Sequence, residues 1–517
     1  MHTLDLTLTP EEYHNRTLLY NAAAAKLGVS VGDIVHVEIV RRSLDSRRGI
    51  RYHAQAEIYL NGEEYIAPDY KGRYQDCRHG KRIVIVGAGP AGLFAALHAL
   101  ELGLKPIIVE RGKAVEERKR DITQLVRSGT VNGDSNWCFG EGGAGTYSDG
   151  KLYTRSTKRG DISSILKRFI EHGADEKIMI DAHAHIGTDR LSDIIAKMRN
   201  TIEGYGGEIY FKKRVNDFLL SPDGEVCGVL CADGDCIEGE AVILATGHSA
   251  RDIYDLFHRK GWALEAKPFA LGIRVEHPQQ LIDDIQYHGR NHSPLLPPAA
   301  YSLTTQVGSH GVFSFCMCPG GVIVPAATAD GEQVVNGMSN ASRSSQYANS
   351  GIAVTVTMND VPEYSRYGEM ALLHFQQDVE CAAYEAAGGV LKAPCQRLVD
   401  FCEGRGASRL NRTNYMGQCV AVPLTEVLPD FVSKSLRQAF RDYDRKMRGF
   451  YTEQASLLAV ESRTSSPVRI PRGDDGQHPQ LRRLYPCGEG AGYAGGIVSS
   501  AIDGVNAVDR IAALLNK

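Results

Sequence analysis

The sequence predicts a mixed α/β protein built on a parallel sheet, and three observations support this prediction. A short apolar strand, 82–86, runs directly into a glycine-rich turn and an alanine-rich helix. A second apolar strand, 106–110, follows that helix, and residues 241–244 form a third apolar run. Wholly apolar runs are typical of strands buried on both faces, as in parallel sheets.

The chain has 517 residues, more than one hydrophobic core usually serves. We expect a small N-terminal α/β module at 1–80 and the first part of a nucleotide-binding domain at 81–261. A mixed α+β domain that faces the substrate is expected as an insertion at 262–420. The rest of the nucleotide-binding domain is then expected at 421–517.

The N-terminal segment predicts the order β-α-β-β. Residues 4–8 alternate between leucine and polar side chains, as in a half-buried strand. Thr9-Pro10-Glu11-Glu12 has the form of a capping box, and Gly28 is placed to end the helix that it starts. Two further alternating runs, 35–39 and 54–60, predict the remaining strands.

Composition excludes several functional classes. The formal net charge of −4 gives no reason to expect a nucleic-acid partner. The charged cluster 116–120 is mixed in sign and predicts a solvated face. The uncharged run 83–100 contains three glycines and a proline, so it predicts a strand, turn and helix rather than a membrane span. No export signal precedes it, and we expect a cytoplasmic location.

The twelve cysteines include no C-x-x-C pair. Cys316 and Cys318 form the closest pair, and residues two apart on a strand point to the same face. A redox or metal role is conceivable for this pair, but two buried structural thiols are the favoured prediction. His183 and His185 also lie two apart and lack an evident third ligand, so no metal site is predicted.

The turn after the first strand reads G-A-G-P-A-G and fits the dinucleotide-binding pattern G-x-G-x-x-G in the strand–turn–helix context that the pattern requires. Gly87 permits the tight turn, Gly89 lets the backbone approach a pyrophosphate, and Gly92 lets the helix pack on the strand. Glu110, at the end of the second strand, can accept from ribose hydroxyls. Arg111 does not by itself argue for NADP, because Glu110 would repel a 2′-phosphate. The motif predicts a Rossmann-type domain that binds FAD or NAD.

Three later segments favour FAD over NAD. The glycine-dense loop 140–151 can lay backbone N–H groups along an extended ligand. Small residues at 245–247 follow the third strand, where backbone must pass close to a bulky group. Near the end, 484–497 runs from a short strand through a glycine-rich stretch into a helix.

These motifs resemble the FAD-dependent oxidoreductase superfamily that includes fumarate reductase and geranylgeranyl reductase flavoproteins. More closely, the chain is similar over nearly its whole length to a bacterial FAD-dependent dehydrogenase family of uncharacterised function. The segments that carry the closer similarity are 140–152, 185–189, 247–252, 267–269, 314–321, 336–339, 462–469 and 488–497.

The resemblance implies a position for each part of FAD. The G-A-G-P-A-G turn would hold the pyrophosphate, Val215 would meet the adenine, and residues 495–497 would meet the flavin. Related proteins usually have Asp at the position of Glu489. With the glycine-dense loop included, the residues assigned to FAD are Gly87, Gly89, Pro90, Ala91, Gly92, Glu110, Arg111, Gly142, Gly143, Gly145, Thr146, Ser148, Val215, Ala245, Thr246, Gly247, Gly488, Glu489, Gly495, Gly496 and Ile497.

We therefore expect an FAD-dependent dehydrogenase or reductase that transfers hydride between a small substrate and non-covalently bound FAD. A flavin monooxygenase and a non-enzymatic redox sensor or scaffold are the alternatives. No second G-x-G-x-x-G directly follows a strand, so the electron donor is expected to be external NAD(P)H, a reductase or the substrate itself. No catalytic residue is assigned; the candidates, each of which could equally be structural, are Lys151, His248, Arg251, Arg463 and Arg469.

Overall fold

The computed structural model describes residues 1–47, 49–153, 160–289, 293–389 and 391–516. An antiparallel sheet of three strands, with two helices packed on it, forms the N-terminal region. Its elements are β1 (His2–Leu8), α1 (Pro10–His14), α2 (Arg16–Leu27), β2 (Ile34–Asp45) and β3 (Arg51–Leu60). The sequence predicted one helix here, but Asn15 breaks it. The Asn15 side chain accepts from the N–H groups of Thr17 and Leu18 and so starts α2.

The next stretch contains most of the strands and helices of a Rossmann-type unit. They are β4 (Arg82–Val86), α3 (Pro90–Glu101), β5 (Lys105–Val109), α4 (Val115–Ser128), α5 (Ile162–Glu171), α6 (Thr188–Gly204), β6 (Glu208–Tyr210), β7 (Val215–Leu220), β8 (Val226–Cys231), β9 (Cys236–Glu238), β10 (Ala241–Leu244) and α7 (Arg251–Lys260).

Residues 265–461 form a second unit, and the end of the chain returns to the first. The second unit contains β11 (Glu265–Ala266), β12 (Phe269–Pro278), α8 (Gln279–Gln286), β13 (Thr304–Val307), β14 (His310–Cys318), β15 (Val322–Pro325), β16 (Val335–Met338), β17 (Tyr347–Val356), α9 (Ala371–Ala387), β18 (Lys392–Arg397), α10 (Leu398–Glu403), β19 (Gln418–Ala421), α11 (Asp430–Lys446) and β20 (Ser456–Glu461). The last elements are β21 (Val468–Arg469), β22 (Leu484–Pro486) and α12 (Ile497–Leu515).

A parallel sheet of five strands, in the order β22-β10-β4-β5-β6, organises the first unit. Alternate residues of β4 face opposite sides of it. Ile83 and Ile85 join an apolar cluster with α3, α6 and α12, whereas Val84 and Val86 join one with α7 and the β7–β9 strands. Both faces are covered, which is why the strands carry no polar side chains in their buried parts.

A mixed sheet of seven strands, in the order β13-β14-β17-β12-β20-β18-β19, organises the second unit. We call residues 269–461 the mixed-sheet region. The boundary predicted at residue 420 is too early, because β20 lies inside this sheet between β12 and β18. All six residues of β20 are buried, so from sequence it resembles a strand of the parallel sheet.

Helices α3 and α12 lie side by side on the parallel sheet. A Cβ atom at Gly504 of α12 would lie 2.1 Å from the carbonyl oxygen of Ala91 in α3, so glycine is needed for this approach. Because the helices begin near each other, both N-termini face the same edge of the sheet. Among the described residues, no helix is long and apolar enough to cross a membrane, and the uncharged run 83–100 is divided between β4 and α3.

Candidate functional site: a cavity between the two sheets

A cavity of about 660 Å³ lies where the carboxyl ends of the parallel strands meet the mixed-sheet region. The loops after β4, β5 and β10 and the stretch before α12 line one side. Residues 313–316 of β14, together with Asn336 and Gly337, line the other. Ligands of open parallel sheets bind outside the carboxyl ends of the strands, where this cavity lies.

The turn after β4 has the form that the motif predicts. Gly87 has a φ angle of 106°, and its N–H donates to Val109 at 2.9 Å. A Cβ atom at Gly92 would lie 1.9 Å from the carbonyl oxygen of Gly87, so Gly92 allows α3 to pack against the turn. At Gly89 the nearest atom to an added Cβ would be the Gly143 Cα, at 3.9 Å, so this glycine leaves room on the cavity side.

Two helix N-termini open onto the cavity. Gly89 stands at the N-cap of α3 and Gly496 at the N-cap of α12, and a glycine has no side chain to accept from the first-turn amides. The first N–H groups of a helix lack partners within the helix, and they carry partial positive charge. The cavity therefore offers amide donors to an anion such as a pyrophosphate at one helix and to a second electron-rich group at the other.

Glu110 joins three loops around the cavity. Its carboxylate accepts from the backbone N–H groups of Ala88 at 2.8 Å, Gly112 at 2.8 Å and Gly140 at 3.0 Å. A carboxylate has about four acceptor positions, so about one remains for a ribose hydroxyl. Glu110 is therefore both a ribose ligand candidate, as predicted, and a support for the glycine-rich turn, which was not predicted.

Arg118 fixes the glycine-dense loop and corrects the prediction of a solvated face at 116–120. Its side chain is fully buried and donates to the carbonyl oxygens of Asn136, Trp137 and Glu141 at 2.7–2.9 Å. Four-residue periodicity places Arg118 on the same side of α4 as the buried Ile122. That pattern was available in the sequence, but the charged neighbours on both sides obscured it.

Of the predicted FAD residues, all but Gly92, Gly142 and Thr146 line the cavity. Gly142 donates its N–H to Ala88 at 2.8 Å, and an added Cβ would lie 2.0 Å from the Thr146 hydroxyl oxygen. The Thr146 hydroxyl donates back to the Glu141 carbonyl at 3.2 Å. Gly142 and Thr146 pack the loop against the turn and do not line the cavity, so their contact with FAD stays a prediction.

Arg111 lines the cavity with its charge already neutralised. Its guanidinium donates to Asp134 at 2.8 Å and to Asp252 at 2.9 Å, and it lies 4.1 Å from the centre of the Phe139 ring. This arrangement does not favour a 2′-phosphate, in agreement with the sequence.

Two of the candidate catalytic residues belong to a buried ionic cluster. Arg251 donates to Glu380 at 2.8 Å, and Arg463 donates to Glu332 at 2.7 Å and to Glu380 at 3.0 Å. Although burial acts in the opposite direction, the guanidinium groups of Arg251 and Arg463 hold the pKa of Glu380 at about 2. The cluster joins α7 of the first unit to α9 of the mixed-sheet region. Both arginines are therefore structural, and only Arg463 reaches the cavity wall.

The other three candidate residues also differ in whether they line the cavity. Burial and the nearby guanidinium groups of Arg463 and Arg251 lower the pKa of His248 to about 3, so its ring lines the cavity as a neutral group. Arg469 does not line the cavity and pairs with the exposed Glu265 at 3.3 Å. Lys151 does line it, 3.3 Å from Asp149. Of the five candidates, Lys151, His248 and Arg463 therefore line the cavity, and the Lys151 ammonium also donates to the carbonyl oxygen of Met317.

Glu489 places a titratable carboxyl in the cavity wall. Burial raises the pKa of Glu489 to about 7, against the opposing effect of the Lys267 ammonium. A carboxyl with this pKa exchanges its proton near neutrality, next to the space where the helix N-termini would hold an anion.

The cysteine prediction is half wrong. Cys318 is buried, but Cys316 is exposed and lines the cavity. A bulge in the pairing of β14 with β17, between Phe315 and Cys318, changes the register at this point. Among the described residues, no group of three or more His, Cys, Asp or Glu side chains is arranged to hold a metal, so His183 and His185 are not part of such a group.

The residues present fit an FAD cofactor. The turn at Gly87–Gly92, two uncapped helix N-termini and one remaining acceptor position on Glu110 supply what a dinucleotide requires. The fold and this cavity define a flavoprotein of the Rossmann type.

Comparison with known proteins agrees with this class. Residues 268–464 match a family model described as "FAD-dependent protein, C-terminal domain-like", and residues 82–261 match "Glucose inhibited division protein A". Residues 1–59 match a domain of unknown function. An uncharacterized protein of Clostridium beijerinckii is 37% identical over 506 residues, which cover 94% of each chain. The chain belongs to this family of FAD-dependent oxidoreductases of uncharacterised function, and its cofactor is FAD.

Two further similarities are more distant. Protein FixC of Escherichia coli K12 is 26% identical over 228 residues, which cover 39% of this chain and 44% of that protein. The solved structure of CtdE in complex with FAD is 12% identical over 84% of each chain, with a TM-score of 0.35.

Replacing Arg118 by Met should destabilise the protein and abolish FAD retention. The carbonyl oxygens of residues 136, 137 and 141 would lose a buried charged donor, a change of about 3 kcal/mol. Arg120→Met, two residues along α4 at an exposed position, is the control and should leave both properties unchanged. Thermal unfolding and flavin content after gel filtration measure the effects. Equal behaviour of the two variants would refute the role of Arg118.

The variants Gly89→Ala and Gly92→Ala should distinguish the glycine that leaves space for the ligand from the glycine that allows α3 to pack against the turn. The Cβ at residue 89 contacts the protein only at 3.9 Å, so we expect the thermal stability of the apoprotein to be kept and FAD affinity to fall by about tenfold or more. At residue 92 the Cβ meets a carbonyl oxygen at 1.9 Å, so stability should fall by about 1–3 kcal/mol. Unfolding midpoints and FAD titrations measure the two effects. A Gly89→Ala variant that binds FAD normally would contradict the placement of the pyrophosphate.

The affinity for FAD should fall as pH rises through about 7, the pKa to which burial raises Glu489. Above this pH the carboxyl is ionised and repels the anionic cofactor, whereas below it the carboxyl is neutral. Glu489→Gln should remove the dependence between pH 6 and pH 8, a change of about tenfold at most. Fluorescence titration of FAD at several pH values measures it, and an unchanged slope in the variant would show that another group is responsible.

Proposed function

We propose that the protein is an FAD-dependent dehydrogenase or reductase that transfers a hydride between a small substrate and non-covalently bound FAD. The observation that carries this proposal is the shared cavity. One wall holds the dinucleotide-binding turn and two helix N-termini, and the other belongs to the mixed-sheet region. A cofactor bound along the first wall leaves the second to face a substrate.

The predicted residues that line the cavity are those we assign to FAD, from Gly87 in the turn to Ile497 in α12. In this assignment Gly89 and the first amides of α3 hold the pyrophosphate, Glu110 accepts from a ribose hydroxyl, and Val215 meets the adenine. Bound FAD supplies two-electron chemistry, accepting a hydride from one substrate and donating it to another.

The protein's own groups set the conditions for that chemistry. The N-terminus of α12 faces the cavity, so its positive end stabilises negative charge that develops there when electrons enter. The neutral His248 can donate or accept one hydrogen bond, and Lys151 can attract an anionic substrate group. Phe313 and Phe315 give the second wall apolar surface, which excludes water from the reacting atoms.

The mixed-sheet region would bind the substrate, and an external NAD(P)H or reductase would supply or remove electrons. Among the described residues, the turn at Gly87–Gly92 is the G-x-G-x-x-G segment that directly joins a parallel strand to a helix, so a nicotinamide would dock transiently in the FAD cavity. In this proposal the second substrate would lie beside Lys151 and β14, which line the cavity.

Anaerobic mixing of the holoprotein with NADH and NADPH, each with and without deuterium at C4, tests the hydride step. We expect one nicotinamide to bleach the flavin bands, and the deuterated form to do so more slowly because the C–H bond breaks in that step. Reduction at the same rate with both forms would contradict hydride transfer. Consumption of oxygen with formation of a hydroxylated product would instead support a monooxygenase.

A further inference from the structure

Strand β14 brings two thiols to the cavity from the mixed-sheet side. Cys316 and Cys318 both line the cavity, while Met317 between them points into the core of the mixed-sheet region. Cys316 has a φ angle of 43°, unusual for a residue other than glycine, and lies at the β-bulge. Bulges next to active sites commonly redirect a side chain, and here the bulge directs Cys316 into the cavity.

The two thiol-bearing residues lie at the same bulge of β14. The Cys318 sulfur lies 3.2 Å from the carbonyl oxygen of Cys316, so its side chain folds back over residue 316. Residues two apart on a strand have Cα atoms about 6.6 Å apart. The Cα separation of known disulfides is about 4.4–6.8 Å.

Two cations lie against this dithiol. The Lys151 ammonium donates to the carbonyl oxygen of Met317, and the Arg274 guanidinium lies 4.0 Å from the Cys318 sulfur and 3.3 Å from the Cys316 carbonyl oxygen. Cys316 is open to the cavity, but the protein that surrounds the cavity desolvates its thiol and raises the pKa to about 11. The Lys151 charge opposes this rise. The neighbouring cations therefore limit the rise in pKa without reversing it, which acts in the direction of the thiolate that thiol–disulfide chemistry requires.

A second pair of neighbouring thiols differs in its surroundings. Cys395 and Cys419 lie on the paired strands β18 and β19, and neither lines the cavity. The pair on β14 therefore differs from this second pair in its access to the FAD cavity.

We propose that Cys316 and Cys318 form a redox-active dithiol–disulfide couple that exchanges an electron pair with the FAD bound in the cavity. In the oxidative direction two S–H bonds break, one S–S bond forms, and two protons and two electrons leave the thiols. FAD takes up these two electrons and two protons. The reverse transfer opens the disulfide. This inference rests on FAD binding and not on the proposed hydride transfer, so either can fail alone.

Anaerobic titration of the oxidised holoprotein with dithionite tests the couple. We expect the native protein to take up about two electron pairs per FAD, one for the cofactor and one for the disulfide. Cys316→Ser and Cys318→Ser should each take up about one pair, a twofold loss. Cys419→Ser, in the pair outside the cavity, should still take up about two pairs.

A second measurement reads the thiols directly. Alkylation before and after reduction, followed by peptide mass analysis, should find the 316–318 peptide two hydrogens lighter in the oxidised protein and doubly alkylated only after reduction. Flavin content and the unfolding midpoint of each variant establish that it is folded and loaded. One electron pair in the native protein, two free thiols in the oxidised peptide, or loss of the second pair in Cys419→Ser would each overturn the proposal.

Discussion

The carboxylate of Glu110 is the interaction on which the cofactor site depends. It binds the backbone N–H groups of Ala88, Gly112 and Gly140, and so holds together three loops that are distant in sequence. A buried carboxylate is stable only when hydrogen bonds replace its hydration, and these three amides do so. Arg118 acts similarly from the opposite side, as a buried donor to the carbonyl oxygens of the same loop.

A second buried network fixes the other half of the cavity. Arg251 and Arg463 share Glu332 and Glu380, so a single cluster connects the parallel-sheet unit to the mixed-sheet region. Removing one member would leave uncompensated charge in the interior, which is strongly destabilising. Because members of the cluster come from both units, this cost holds the two cavity walls in one relative position. Glu110 organises the loops and this cluster fixes the positions of the two walls, so together they define the cavity assigned to FAD.

Local patterns in the sequence predicted the parallel strands and the glycine-rich turn, and most of the residues assigned to FAD line the cavity. The turn at Gly87 depends on neighbours in the sequence, so its pattern is sufficient to recognise it. The roles of Arg118 and Arg463 depend on carbonyl and carboxylate groups far along the chain, which periodicity does not reveal. The position of β20 and the exposure of Cys316 likewise follow from strand pairing in the mixed sheet, and a single strand's composition does not specify its partners.

Hydrogen–deuterium exchange of the apoprotein and the FAD complex tests the central claim that the cofactor lies between two walls. The account predicts slower exchange on FAD binding in the turn at 87–92, in the loop at 140–148 and, from the opposite wall, in 313–318 of β14. Protection confined to the first two segments, with β14 unchanged, would contradict a site shared by the parallel-sheet unit and the mixed-sheet region.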